Sequence, residues 1–151
     1  MAEAAARPAG RGAKAAPSLL YLVKRTELAV RARLDEVLKP SGLTALQYTA
    51  LTVLERHDGL TAAQLARDSF VTAQSMADMV RTLESRGHVV RRPNPANRRE
   101  LLIALTDLGH RLLADYEESV RGIERRMTDG LTDDDAARLR LALDHAWRRL
   151  S

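Results

Sequence analysis

The strongest local constraint in this chain is a helix-start signature that occurs twice. Thr44 with Gln47 and Thr61 with Gln64 both fit the capping box, in which a threonine oxygen accepts one orphan helix amide and the glutamine three residues on returns a bond to the threonine backbone. Both helices must therefore begin at defined residues. The first continues through Leu46, Leu51, Val53 and Leu54 to about His57 and stops at the turn Asp58-Gly59. The second is short and carries Leu65 and Ala66. After Asp68-Ser69-Phe70, Thr72 supplies a third N-cap, and Met76, Met79, Val80 and Leu83 then repeat at helical spacing up to Gly87.

Upstream, residues 18–38 lack glycine and proline. Their apolar residues, Leu19 to Leu38, surround much of a helical surface, which predicts a helix buried on more than one side until Pro40-Ser41-Gly42 stops it. Downstream of Gly87 the period changes. Residues 88–93 (HVVRRP) and 101–105 (LLIAL) read as two short strands joined by the polar turn NPANRRE. Thr106 with Gly109 opens a long helix to about Met127, Gly130 breaks it, and Thr132 starts a last helix ending in Trp147 and Leu150. Residues 1–17 are Ala-rich, weakly basic and punctuated by proline and glycine. They are expected to be a flexible tail, without the apolar stretch of a secretory signal.

Two capped helices in a tight turn followed by a hairpin are the parts of a winged helix-turn-helix. The expected fold is therefore mainly α with a small β-hairpin wing: a DNA-binding lobe at about 44–105 and a helical region at about 18–39 and 106–150. The third capped helix can bury Met76, Val80 and Leu83 while Thr72, Gln74, Ser75, Asp78 and Arg81 meet a duplex. Glutamine can bond adenine in two places and aspartate can accept from cytosine.

The charge distribution agrees. The whole chain carries +4. Residues 81–99 alone hold six arginines (81, 86, 91, 92, 98 and 99) and one acid, Glu84, whereas residues 107–135 hold nine acids and four arginines. The basic character thus sits on the recognition helix and hairpin, and as arginine it suits bidentate phosphate contacts and narrow minor grooves.

Catalysis has no visible residues. The four histidines, His57, His88, His110 and His145, are scattered, and no nucleophile elbow, phosphate-cradling loop or dinucleotide fingerprint is present. No enzyme activity, metal or cofactor is expected. The run Asp133-Asp134-Asp135 follows Thr132 at a helix start, where acids meet the helix dipole. With no cysteine, disulfides and thiolate metal sites are excluded, and 3% aromatic residues are too few for a base-stacking platform. The longest apolar runs fall well short of the ~18 residues of a membrane span, so no membrane partner is expected and the cytoplasm is the expected location.

The stretch MVRTLESRGHVVRRPNPANRRELLIALTDLG resembles the recognition-helix and wing signature of the MarR (multiple-antibiotic-resistance regulator) family of bacterial transcription factors. Its most telling pieces are Leu83-Glu84 with Gly87, Arg91-Arg92, Asn97-Arg98-Arg99, and Leu105-Thr106 with Gly109, and the helical order matches over residues 18–150. The resemblance implies a homodimer joined through the first and the last two long helices, acting as a repressor on a roughly palindromic duplex.

It also implies a wing arginine, Arg99, in the minor groove, with Arg92, Asn97 and Arg98 beside it and Arg86 at the end of the recognition helix. Asn97 stands where the family usually has aspartate, which leaves a neutral hydrogen bond in place of an ion pair. Asp78 and Thr82 occupy positions that are often basic in the family, and Arg81 one that is often acidic. A small aromatic or anionic effector is the implied third partner, in a cleft between the dimer helices and the lobe. The residues expected to line it are Lys24, Arg25, Tyr48, His57 and Tyr116, with Lys24 or Arg25 holding a carboxylate. A helical protein-interaction adaptor with a degenerate winged helix is the alternative reading.

Overall fold

A computed structural model describes residues 15–151. Residues 1–14, most of the expected tail, lie outside the described residues. The element order is α1 (Leu19–Leu38), a 3-10 turn (Lys39–Ser41), α2 (Ala45–Arg56), α3 (Ala62–Asp68), α4 (Ala73–Ser85), β1 (Val89–Asn94), β2 (Asn97–Leu105), α5 (Asp107–Thr128) and α6 (Asp133–Leu150).

Each α-helix begins at a residue whose side-chain oxygen accepts a backbone N–H of the first turn: Ser18, Thr44, Thr61, Thr72, Thr106 and Thr132. Such a cap contributes about 1 kcal/mol. At Thr44 and Thr61 the reciprocal glutamine bond is also made, with Oε1 of Gln47 and of Gln64 each accepting the threonine N–H at 3.0 Å. The acidic run at 133–135 occupies the first turn of α6, where Asp135 N–H donates to Thr132.

The core lies where α2, α3 and α4 converge on the hairpin. Leu51, Leu65, Met76 and Leu83 are fully buried there, and Val80, Val89 and Ile103 nearly so. Burying each large side chain contributes roughly 1.5–3 kcal/mol. Helix α4 buries Met76, Val80 and Leu83 on one side and leaves Gln74, Ser75, Asp78 and Arg81 exposed on the other, as its periodicity predicts.

The hairpin differs from expectation in two ways. First, β2 begins at Asn97, so Arg98, Arg99 and Glu100 lie in the strand and the turn shrinks to Pro95-Ala96. The register jumps from Pro93↔Leu101 to Asn94↔Asn97, leaving residues 98–100 without a partner on β1. An exposed wing needs no apolar face to pair, and extra residues on one strand bend it outward. Second, Leu60 and Ile103 exchange backbone bonds of 3.0 and 2.7 Å, which stitches the α2–α3 connection to β2. A one-residue strand leaves no alternation pattern to read.

Helix α1 also departs from expectation. Of its residues only Leu38 is buried, while Leu19, Leu20, Tyr21, Val23 and Leu28 are exposed. The helix packs on α2 and α5 within the chain, Leu34 and Leu38 meeting the core, while most of the apolar residues of its N-terminal half stay exposed. Helix α6 buries none of its residues.

Candidate nucleic-acid interface

The exposed face of α4 starts at a well-defined point. Thr72 Oγ1 accepts the Ser75 N–H at 3.1 Å and lies 3.0 Å from Ser75 Oγ, which fixes the first turn and leaves Gln74 projecting beside it. One turn further on, the Arg81 guanidinium pairs with the Asp78 carboxylate. The two side chains thus form a single donor–acceptor unit on the outer face, in place of two independent readers.

Arg86 lies at the other end of α4. Its Nη1 donates to the Gly42 carbonyl at 2.8 Å, so this guanidinium braces the α1–α2 joint against the end of the recognition helix. Just beyond it, Gly87 takes φ +78°, a left-handed conformation that ends the helix at little cost.

On the wing the arginines divide into two groups. Arg91 pairs with Glu84 at 3.0 Å, and Arg92 pairs with Asp58 at 2.8 Å, so both tie β1 to the body of the lobe. Being exposed, each pair contributes little stability. Arg98 and Arg99 make no side-chain ion pair among the described residues, and both sit in the unpaired stretch of β2. Asn97 Oδ1 accepts the Arg99 backbone N–H at 3.2 Å, which orders the main chain beneath that arginine and leaves its guanidinium unengaged by Asn97. Asn94 closes the tip by accepting the Ala96 N–H at 3.0 Å. Of the six arginines at 81–99, the two at the wing tip are therefore the ones whose guanidinium groups have neither an ion pair nor a hydrogen bond among the described residues.

Thr106 joins wing, recognition helix and α5. Its hydroxyl donates to the Gly87 carbonyl and accepts the Gly109 N–H, while its own N–H donates to the His88 carbonyl at 3.1 Å. Gly109 is packed directly on that His88 carbonyl, with no room for a Cβ. Burial lowers the His88 imidazole pKa below its ordinary value, and the nearby Arg86 charge lowers it further.

The five residues expected to line an effector cleft are dispersed. Lys24 pairs with Glu27 at 3.3 Å and Arg25 lies over the Tyr21 ring, 5.7 Å from its centre, both on the exposed half of α1. His57 is exposed at the end of α2. Tyr48, from α2, and Tyr116, from α5, both pack on the core. Burial raises the Tyr48 phenol pKa, and the charges of Glu55 and Glu117 add to the effect.

An open cavity of about 440 Å³ lies at the α1–α2 joint, walled by Arg31, Asp35, Lys39, Leu43 and Thr44. There Asp35 accepts the Ala45 N–H at 2.7 Å, capping α2 from ten residues away. Sequence periodicity marks these α1 residues only as polar positions on an amphipathic helix.

Comparison with known proteins fits this geometry. The model of the MarR family matches residues 41–100, from the α1–α2 joint to the wing. An HTH-type transcriptional repressor of Mycobacterium tuberculosis is 35% identical over 112 residues, covering 74% of this chain and 81% of the repressor. The structure of the transcriptional repressor CouR on a 23-mer DNA duplex is similar at a TM-score of 0.77, with 29% identity over 85% of this chain and 92% of that one. CouR from Rhodococcus jostii bound to p-coumaroyl-CoA matches at 0.76, with 28% identity over 83% and 89%. With the capped three-helix unit, the wing and the signature from Leu83 to Gly109 all in place, the chain belongs to the MarR family of transcriptional regulators.

Proposed function

We propose that two copies of this chain form a homodimer that occupies a palindromic duplex and represses transcription until a small aromatic or anionic molecule releases it. The carrying observation is the surface made by α4 and the wing. A helix with a fixed N-terminal turn presents Thr72, Gln74, Ser75 and the Asp78–Arg81 unit, and a bulged strand beside it presents Arg98 and Arg99. The helix matches the major groove and the wing-tip arginines match phosphates and the adjacent minor groove. Arg86 and Arg92 act in this reading chiefly by bracing that surface.

The lobe at about 44–105 reads DNA, and the helices at about 18–39 and 106–150 join the two copies. Supporting the dimer, Leu19, Leu20 and Val23 on α1 and Leu139, Leu143 and Trp147 on α6 are exposed in the single chain, and monomers rarely leave so much apolar surface in water. CouR, which has been seen with DNA and with p-coumaroyl-CoA, supports an effector-responsive regulator of this kind. No helix among the described residues is long and apolar enough to cross a membrane, and the proposed place of action is the cytoplasm, with the DNA.

Selection from a random duplex pool at physiological salt tests the proposal. The expected product is an inverted repeat whose half-sites lie about 10 base pairs apart or a multiple of that. Weak, salt-sensitive binding without sequence preference would overturn it.

A further inference from the structure

The turn between α3 and α4 holds the one described residue other than glycine with positive φ, and it is the chain's only phenylalanine. Phe70 has φ +60° and is 75% exposed. A bulky side chain in the left-handed region is an outlier, because its Cβ crowds the following carbonyl. The local structure explains the backbone. Ser69 is buried on one side of Phe70, and Val71 packs against the core on the other. The Phe70 N–H donates to the Arg67 carbonyl and the Val71 N–H to the Ala66 carbonyl, closing α3 so that position 70 must turn outward. Glycine or asparagine meets that demand at lower cost. The turn accounts for the conformation but not for an aromatic ring held in solvent.

The position of the ring supplies the second observation. Phe70 stands two residues before Thr72, the N-cap of α4, at the end of the helix that carries Gln74 and Ser75. Among the described residues, the three large hydrophobic ones more exposed than Phe70, namely Leu19, Leu20 and Leu150, lie at the ends of α1 and α6 among other exposed apolar groups. Phe70 sits apart from them, on the lobe. We infer that Phe70 is a DNA-contacting residue: its ring packs against an apolar edge of the duplex beside the N-terminus of α4, either a thymine methyl or the face of a deoxyribose. Phenylalanine is suited to both, and an uncharged contact adds affinity without adding salt dependence.

This inference rests on the duplex-binding reading, so the test begins with a duplex that the unaltered protein has selected. If none is selected, it is the proposed function that fails. Phe70→Asn keeps a residue that tolerates positive φ and removes the ring. The unfolding midpoint is expected to stay level or rise, and the dissociation constant for the selected duplex to increase about tenfold, the factor for returning roughly half of an aromatic ring to water. The slope of affinity against salt is expected to stay unchanged. Phe70→Leu, which keeps an apolar group, should fall between.

Replacing the thymines of the half-site by deoxyuridine separates the two edges. A loss seen with the parent protein and absent in Phe70→Asn assigns the methyl, and no loss in either assigns the sugar. Wild-type affinity in Phe70→Asn would overturn the inference. So would a drop in salt slope, which would mean a displaced α4, or a change in oligomer mass, which would place Phe70 in a protein interface.

Discussion

Between residues 43 and 105 the large apolar side chains are mostly inside, whereas the N-terminal part of α1 and nearly all of α6 hold theirs outside, and α5 stands between the two, with Leu112, Leu113, Tyr116 and Val120 on the core and Leu108 and Met127 exposed. Among the described residues outside 43–105, only Leu38 and Leu113 are buried hydrophobic residues. Among the described residues, thirteen of the sixteen exposed large hydrophobic residues lie on or next to those three helices. The two regions share local grammar, with threonine caps and helical periodicity in both, so the difference comes from partners. The lobe closes its core within one chain because three short helices and a hairpin can surround a common centre. The long helices present apolar stripes that reach past anything the same chain offers, and in the proposed dimer a second copy covers them.

Substitutions in the two regions should have different consequences. The largest effect is expected from Leu51→Ala, at a fully buried position, which should cost about 3 kcal/mol in denaturant unfolding. A cost below ~1 kcal/mol would show that the lobe core is not the seat of stability. Next is Leu143→Asp on α6. It should leave the lobe folded but shift sedimentation from dimer to monomer, weakening self-association by at least about a hundredfold, or ~2.7 kcal/mol. A dimer of unchanged strength would break the comparison.

Within the lobe, Arg99→Ala should weaken duplex binding about tenfold and lower the salt slope by about one. Arg92→Ala, already paired with Asp58, should change the slope less. Equal effects would mean that the pairing does not distinguish the two arginines. The smallest effect concerns His88. Its folded-state pKa is lowered, so its contribution to stability is present above about pH 6.5 and is lost as pH falls through the folded value. His88→Gln should therefore flatten the decline in unfolding midpoint between pH 7.5 and 5, relative to the parent, and an identical decline in both would refute this assignment.

The sequence is most legible where a local rule acts alone. The two capping boxes, the Thr72 cap and the stop at Gly87 each need only a few adjacent residues, and each forms as expected. The inward and outward faces of α4 follow from periodicity for the same reason. What does not show is whatever depends on chain far away. The Leu60–Ile103 bridge joins residues distant in sequence, and Arg86 on Gly42, Arg92 on Asp58 and Asp35 on Ala45 are pairings that composition cannot rank. An arginine-rich segment reads as uniformly available charge, yet folding commits Arg81, Arg86, Arg91 and Arg92 to partners and leaves Arg98 and Arg99 at the tip. The exposure of α1 is hidden for a related reason, since an apolar stripe announces that it will be covered without saying by which chain.

The knot around Thr106 has a mechanical consequence. With its hydroxyl on Gly87, its N–H on His88 and Gly109 seated against the same His88 carbonyl, the start of α5 is fastened to the end of α4 without a side chain's worth of slack. Arg86 pins that same end of α4 to Gly42, just beyond α1. The recognition helix is thus clamped at its base, and with Met76 and Val80 buried in the core it moves with the lobe, as a lever of thirteen residues whose length is about 20 Å. A rocking of about 10° at the clamp sweeps the tip by roughly 3.5 Å, close to one base-pair step. Small rotations of the long helices would thus be delivered to Gln74 and Ser75 as a change of reading frame along the groove.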